Sequence, residues 1–301
     1  MRILALVPGG IGDQLLFFPT LDNLRGRYPE AEIDVVVEPR STAAYRVSKS
    51  VDKVIPFDFK DTNGPADWGN LLGIIRDCEY DAVMSLGRRL SVGFLLWLTG
   101  IPTRIGYAAG AGKIFLSHPI PLNLNQYAAC MFHDLLQGLG ITDPCPNLAI
   151  NVPTADIDWA EAEQQRLGIK DSGYVLIHGG ASKLDLPLDF DKIYPVKQWQ
   201  QIVKDLRSRK PDLPVVLIKA PDDGELVNSV LAVCPDVKVI NPTDIGKLAA
   251  TIAGANLMLC TNSGPMHLSV AVGTYTIALF GPSGPKKLLP DNGRSIAIKS
   301  R

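Results

Sequence analysis

Apolar runs of four to seven residues alternate along the chain with longer stretches whose apolar positions recur every three or four. In the first half the short runs are RILALV, IDVVVE, KVIPF, DAVMSL and TRIGY, with helix-period segments near 13–27, 66–77, 89–98 and 127–139 between them. The second half repeats the rhythm: YVLIH, PVVLIK, VKVI, LMLC, YTIALF and SIAIK, interleaved with helical segments near 156–167, 197–210, 223–233, 244–254 and 264–272. Short, β-branched-rich, nearly continuous apolar runs are what strands look like when helices cover both faces of a sheet. The β-α-β-α order therefore predicts an α/β protein with doubly wound parallel sheets.

The rhythm breaks at ITDPCPNLAINVPTADID (141–158), where three prolines remove backbone donors and the helical period fades. Such a stretch suits a linker, so two domains are expected, 1–153 and 154–301. In open parallel sheets ligands bind beyond the carboxyl ends of the strands, so the turns there are the places to search for chemistry.

Composition narrows the class. The chain has 301 residues, 46% hydrophobic and 20% charged. Residues 1–153 carry 13 Lys+Arg against 15 Asp+Glu, and the remainder 17 against 16, so neither half is a basic nucleic-acid face and no nucleic-acid partner is expected. Five cysteines, odd in number and never in C-x-x-C, argue against a disulfide framework or zinc site and for a reducing compartment. The apolar stretch Val92–Leu98 with its flanks falls well short of the roughly 20 residues of a membrane span. The N-terminal run lacks the pattern of a signal peptide. The expectation is a cytoplasmic protein without a transmembrane segment.

The stretch PGGIGDQLLFFPTL follows the first apolar run and holds three glycines in four positions ahead of Asp13. A glycine turn between strand and helix is a ready phosphate site. Gly10-Ile11-Gly12 begins a G-x-G-x-x pattern, and Glu38 closes the second strand where a ribose-binding acid would stand, but Leu15 replaces the third small residue of a dinucleotide site. Asp13 reads equally as an N-cap for a helix Gln14–Arg27 or as a carboxylate placed in an active site.

Four stretches together resemble glycosyltransferase family 9, the lipopolysaccharide heptosyltransferase family. GGIGDQLLFFPTLDNLRGRYPEAEIDVVVE is similar to that family's start, and YVLIHGGAS to its H-P-G-A-S turn. DKIYPVKQWQQIVKDL is similar to its K-x-W-P-x-x-x-W helix start, and TNSGPMHLSVAVGTYTIALFGPS to its N-D-S-G-x-x-H-L segment. The resemblance implies a GT-B fold: two Rossmann-like domains facing a central cleft, the first binding the acceptor and the second a nucleotide-sugar. It also implies an inverting, metal-independent transfer of a heptose-like sugar from an ADP-linked donor, with no cofactor, to an anionic saccharide-lipid acceptor. That acceptor would place the protein at the inner face of the cytoplasmic membrane.

Carried over residue by residue, the resemblance makes Asp13 the general base and Lys192 the cation that neutralises the departing diphosphate. The donor side comprises Gly12, His178, Gly180, Ser182, Thr261, Asn262, Ser263, Gly264, His267 and Glu225, with His267 expected as a hydrogen-bonded histidine inside its helix. Free N–H groups at the helix start after Ser263 suit a diphosphate. Gly10, Arg88, Arg89 and Arg104 form the acceptor side, arginine being suited to forked contacts with carboxylate or phosphate.

The sequence also departs from the family. The aspartate of N-D-S-G is Asn262, H-P-G-A-S has become H-G-G-A-S, and LDLPLDFD lengthens the loop before Lys192. Two D-x-D strings, Asp156–Asp158 and Asp189–Asp191, read as a helix start and a loop rather than metal ligands. The alternatives are a non-catalytic sugar-nucleotide-binding protein, motivated by Asn262, and an NAD-dependent oxidoreductase.

Overall fold

A computed structural model describes residues 1–59, 63–180, 194–220, 223–281 and 284–299. The chain divides into two compact units, Met1–Leu148 and Ala149–Arg301, and the division falls inside the proline-rich stretch.

The first unit runs β1 (Arg2–Val7), α1 (Ile11–Arg27), β2 (Glu32–Val37), a 3₁₀ turn (Pro39–Val47), β3 (Lys53–Pro56), α2 (Pro65–Asp77), β4 (Ala82–Ser85) and α3 (Leu90–Leu98). It continues with β5 (Thr103–Tyr107), a 3₁₀ turn (Ala111–Phe115), β6 (His118–Ile120), α4 (Ala128–His133) and a further 3₁₀ turn (Asp134–Leu139). The six strands form one parallel sheet in the order β3-β2-β1-β4-β5-β6. Ile3 to Val7 and Ile33 to Val37, Asp34 included, are buried, as central strands covered on both faces must be.

The second unit runs α5 (Thr154–Leu167), β7 (Val175–His178), α6 (Val196–Arg209), β8 (Val215–Ile218), α7 (Gly224–Val233), β9 (Lys238–Ile240) and α8 (Ile245–Ala253). After it come β10 (Leu257–Thr261), α9 (Gly264–Val272), β11 (Tyr275–Phe280), α10 (Pro285–Leu288) and β12 (Ser295–Lys299). Its parallel sheet has the order β12-β11-β10-β7-β8-β9, the same doubly wound pattern as the first. One core packs Trp199 and Val203 of α6 with Val227 and Val230 of α7 against Val175, Ile177 and Leu217 of the sheet.

Local chemistry explains where the sequence pattern and the structure part. The expected helix 127–139 is α-helical only to His133 and then tightens into a 3₁₀ turn. Tyr107 Oη donates to the Met131 carbonyl at 3.0 Å, and Gly138 lies so near Ile105 that a Cβ there would come within 2.7 Å of its side chain. The strand His118–Ile120 was not foreseen because Pro119 interrupts it, yet β6 is the sheet edge, where a missing donor costs no ladder bond.

Candidate functional site

The turn after β1 is built backwards from a carboxylate. Gly9 has φ +126°, a conformation that favours glycine, and a Cβ on it would stand 2.3 Å from Asp13 Oδ2. The N-cap of α1 is Gly10, whose N–H donates to Asp13 Oδ2 at 2.9 Å and whose carbonyl accepts from the Asp13 N–H at 3.1 Å. Asp13 is therefore not an N-cap. It is the third helical residue, bonding back to the cap as an acid at that position can, beside the positive end of the helix. The expected helix start at Gln14 moves accordingly to Ile11, with Gly12 in the first turn.

Three side chains that the sequence did not point to brace this turn from behind. Gln14 is fully buried; its Nε2 donates to the Val7 carbonyl at 2.9 Å and its Oε1 accepts from Tyr45 Oη at 2.8 Å. Ser41 Oγ donates to the Gly9 carbonyl at 2.8 Å. Burial pushes the Tyr45 phenol far up, so it remains a neutral donor. The only sequence hint was a polar Gln inside an apolar helix. Glu38 is also buried, and it accepts the Phe59 N–H at 3.2 Å, which turns the acid of the dinucleotide pattern inward.

The cations divide. Arg88 and Arg89 follow β4 through Gly87, whose N–H donates to Ser85 Oγ at 3.0 Å. Both arginines are exposed, and Arg89 caps α3. Arg104 pairs in register with Val83, which pairs with Leu4, so it sits partway down the sheet rather than at the carboxyl edge. Its Nε donates to the Phe115 carbonyl at 2.8 Å and its Nη1 to those of Ile101 and Pro102 at 2.6 and 3.3 Å. A guanidinium so engaged fastens loops and is poorly placed to fork an acceptor.

In the second unit, the ends of β7, β8 and β10 bring distant residues together. His178 Nε2 lies 3.6 Å from Asp223 Oδ2, and Ser263 Oγ lies 3.5 Å from His178 Nδ1. Thr261 Oγ1 donates to the Gly180 carbonyl at 3.2 Å, and Ser263 Oγ donates to the Thr261 carbonyl at 3.3 Å. Asp223 Oδ2 also accepts the Ala220 N–H at 3.0 Å. A Cβ on Gly180 would fall 1.7 Å from Asp223 Oδ1, and one on Gly179 would meet Trp199 Nε1 at 2.7 Å. Both glycines are thus required by close approach.

Of the acids after β8 it is Asp223 that reaches His178, while Glu225 stands exposed in the first turn of α7. Asp222, Ser182, Lys192 and the string Asp189–Asp191 lie outside the described residues. Asp156 occupies the first turn of α5, as a helix start.

Burial lowers the His178 imidazole below its ordinary value against the pull of Asp223, and pushes His267 down to about 4. Both are neutral near pH 7. One ring atom of the buried His267, Nδ1, has no hydrogen-bond partner among the described residues, and neither does Trp199 Nε1. Ser263 is the N-cap of α9 by backbone position, but its hydroxyl makes no capping bond to the helix. Asn262, Ser263 and Gly264 are partly open to solvent at that helix start. Among the described residues no group of His, Cys, Asp and Glu could hold a metal ion, and no helix is long and apolar enough to cross a membrane. All five cysteines are free thiols.

Two doubly wound parallel sheets, each with a glycine turn and a carboxylate at the carboxyl end of its first strand, define an α/β protein of the GT-B class. Residues 68–300 match the model of glycosyltransferase family 9 (heptosyltransferase), and the chain belongs to that family. It is 25% identical to the Arabidopsis thaliana protein named photosynthetic NDH subunit of subcomplex B 1, chloroplastic, over 95% of this chain and 66% of that one. It therefore spans just under two thirds of that relative's length. It is 24% identical to lipopolysaccharide heptosyltransferase 3 of Escherichia coli, over 90% of this chain and 80% of that one. The solved E. coli heptosyltransferase WaaC with ADP-2-deoxy-2-fluoro heptose shares the fold, with a TM-score of 0.76 at 19% identity, over all of this chain and 94% of that one.

Proposed function

We propose that the chain is an inverting, metal-independent glycosyltransferase that moves a heptose-like sugar from an ADP-linked donor to an anionic saccharide-lipid at a cytoplasmic membrane face. The acceptor hydroxyl attacks the anomeric carbon as the bond from that carbon to the diphosphate breaks. Asp13 takes the hydroxyl proton and ADP carries away the bonding pair. The observation that carries this reading is Asp13 itself: a carboxylate fixed at the carboxyl end of β1 by the Gly10 N–H and partly open to solvent.

The donor belongs with the second unit. Gly180, Thr261, Asn262, Ser263 and Gly264 gather around a helix start whose serine hydroxyl makes no capping bond to the helix, a setting that favours a diphosphate. Lys192 enters by its match to the family lysine. Arg88 and Arg89 supply the acceptor side, without Arg104. The ADP-heptose analogue named with the WaaC structure supports the donor class.

A second reading, nucleotide binding without transfer, is favoured by Asn262 in place of the family aspartate and by a relative named as a subunit of another complex. Calorimetry with ADP, UDP, GDP and NAD in the absence of divalent metal, followed by turnover of ADP-sugars with and without chelator, tests both. Selective ADP binding with chelator-insensitive turnover is the expected outcome. ADP binding with neither transfer nor donor hydrolysis would leave the second reading standing, and binding of NAD alone would defeat both.

A further inference from the structure

We propose that the face formed by α3 and the 3₁₀ turn Ala111–Phe115 docks on an anionic lipid surface. Leu90, Phe94 and Trp97 are spaced i, i+4, i+7 along α3, so they form one stripe, and they are 52%, 43% and 52% exposed. Ile114 on the neighbouring turn is 72% exposed. The Phe94 and Trp97 rings stack at 5.9 Å, and Phe115 meets them at 5.5 and 6.1 Å, so the aromatic groups make a continuous patch. The other side of α3 packs Leu95 and Leu96 into the core, which fixes the stripe outward.

The platform beneath it is stiff. A Cβ on Gly93 would stand 2.4 Å from the Gly112 carbonyl oxygen, and one on Gly112 would stand 2.9 Å from that of Arg89. Helix and turn therefore touch backbone to backbone. An exposed patch of this kind marks a contact surface rather than a scatter of single apolar residues.

Charge identifies the occupant. The chain holds 31 Asp and Glu in 301 residues, yet none lies between Asp81 and Asp134. Within that stretch Arg88, Arg89 and Lys113 are exposed, on the segments that carry the patch. An apolar stripe with interfacial tryptophan, on segments that carry cations and no acid, suits a bilayer with anionic headgroups. A second copy seated on the same face would set these cations against their own counterparts. At nine residues α3 is far too short to span, so it lies on the surface. The inference goes beyond the transfer reading and stands without it, because bare vesicles carry neither nucleotide nor saccharide.

The full chain is sedimented with vesicles of phosphatidylcholine alone and of phosphatidylcholine with phosphatidylglycerol, at low and high salt, while tryptophan emission is recorded. The expected result is sedimentation with the anionic vesicles that weakens with salt, accompanied by a blue shift that Trp97→Phe removes. Replacing Phe94 and Trp97 together by Ser lowers partitioning by tenfold or more. Lys113→Glu, an exposed change that leaves the core intact, lowers it roughly tenfold. Equal sedimentation with both vesicle types, none with either, or sedimentation that these variants leave unchanged overturns the proposal. Self-association lost in the double variant without vesicle binding would assign the face to a second copy and overturn it too.

Discussion

The glycine turns after β1 and β7 solve one problem in two ways. Each follows the first strand of a sheet with the same strand order, and each presses a glycine against a carboxylate, Gly9 against Asp13 and Gly180 against Asp223. In the first turn the acid lies four residues from its glycine, in the helix that the turn begins. In the second it arrives from the end of a neighbouring strand, and the hydroxyls around it come from a third. The carboxylate contact of the first turn is local, although Ser41 and Tyr45 brace that turn from the segment after β2, whereas the second turn draws its contacts from three strand ends. Under the proposed function, the difference suits a single-residue proton acceptor in the first unit and a many-residue cradle for a donor in the second.

The sharpest way to break that comparison is Asp13→Asn, which keeps size and shape. Transfer should fall a hundredfold or more while calorimetric ADP affinity is unchanged; turnover within severalfold of the original would remove Asp13 from the reaction.

Acid comes next. In the unfolded chain a histidine takes up a proton below its ordinary pKa of about 6.5, whereas His267 in the fold does so only near about 4. Between these values the unfolded state binds the extra proton, so this contribution is present above pH 6.5 and is lost as pH falls toward 4. The loss is about 3 kcal/mol at most, and His178 shifts in the same direction. Denaturant midpoints followed from pH 7.5 to 4.5 should drop for the original chain and flatten in His267→Leu; parallel profiles would contradict this.

Smaller effects separate the glycines. Gly180→Ala forces a methyl onto Asp223 and should cost about 1–3 kcal/mol. Gly9→Ala adds a strained φ to a clash with Asp13 and should cost a similar amount, about 1–3 kcal/mol. Gly10, with nothing within 4 Å of its missing Cβ and an ordinary φ, should tolerate alanine within about 0.5 kcal/mol. Thermal melts of the three variants test the ranking, and a Gly10 variant as unstable as the other two would refute it.

Much of the fold was legible because parallel strands covered on both faces leave a plain trace. RILALV, TRIGY, YTIALF and SIAIK are strands over the whole of their apolar runs. Pro119 hid the edge strand, and the 3₁₀ turn that carries Ser41 and Tyr45 has no strong period to reveal it. At the first turn, local spacing gave Asp13 and its glycines but misplaced the helix start, because an acid at the third helical position mimics an N-cap. At the second, the contact of His178 with Asp223 and Ser263 joins residues dozens of positions apart, which no local pattern encodes. Arg104 shows the converse: a motif names a residue type, while strand register sets how far along the sheet it stands.

The crowded glycine at 180 also constrains the order in which a lineage can change. Any side chain there must displace the Asp223 carboxylate, and losing that acid removes one of the two polar contacts described for His178, leaving the one to Ser263 Oγ. Either single substitution therefore carries a cost that the paired change lessens, and the two positions are expected to change together.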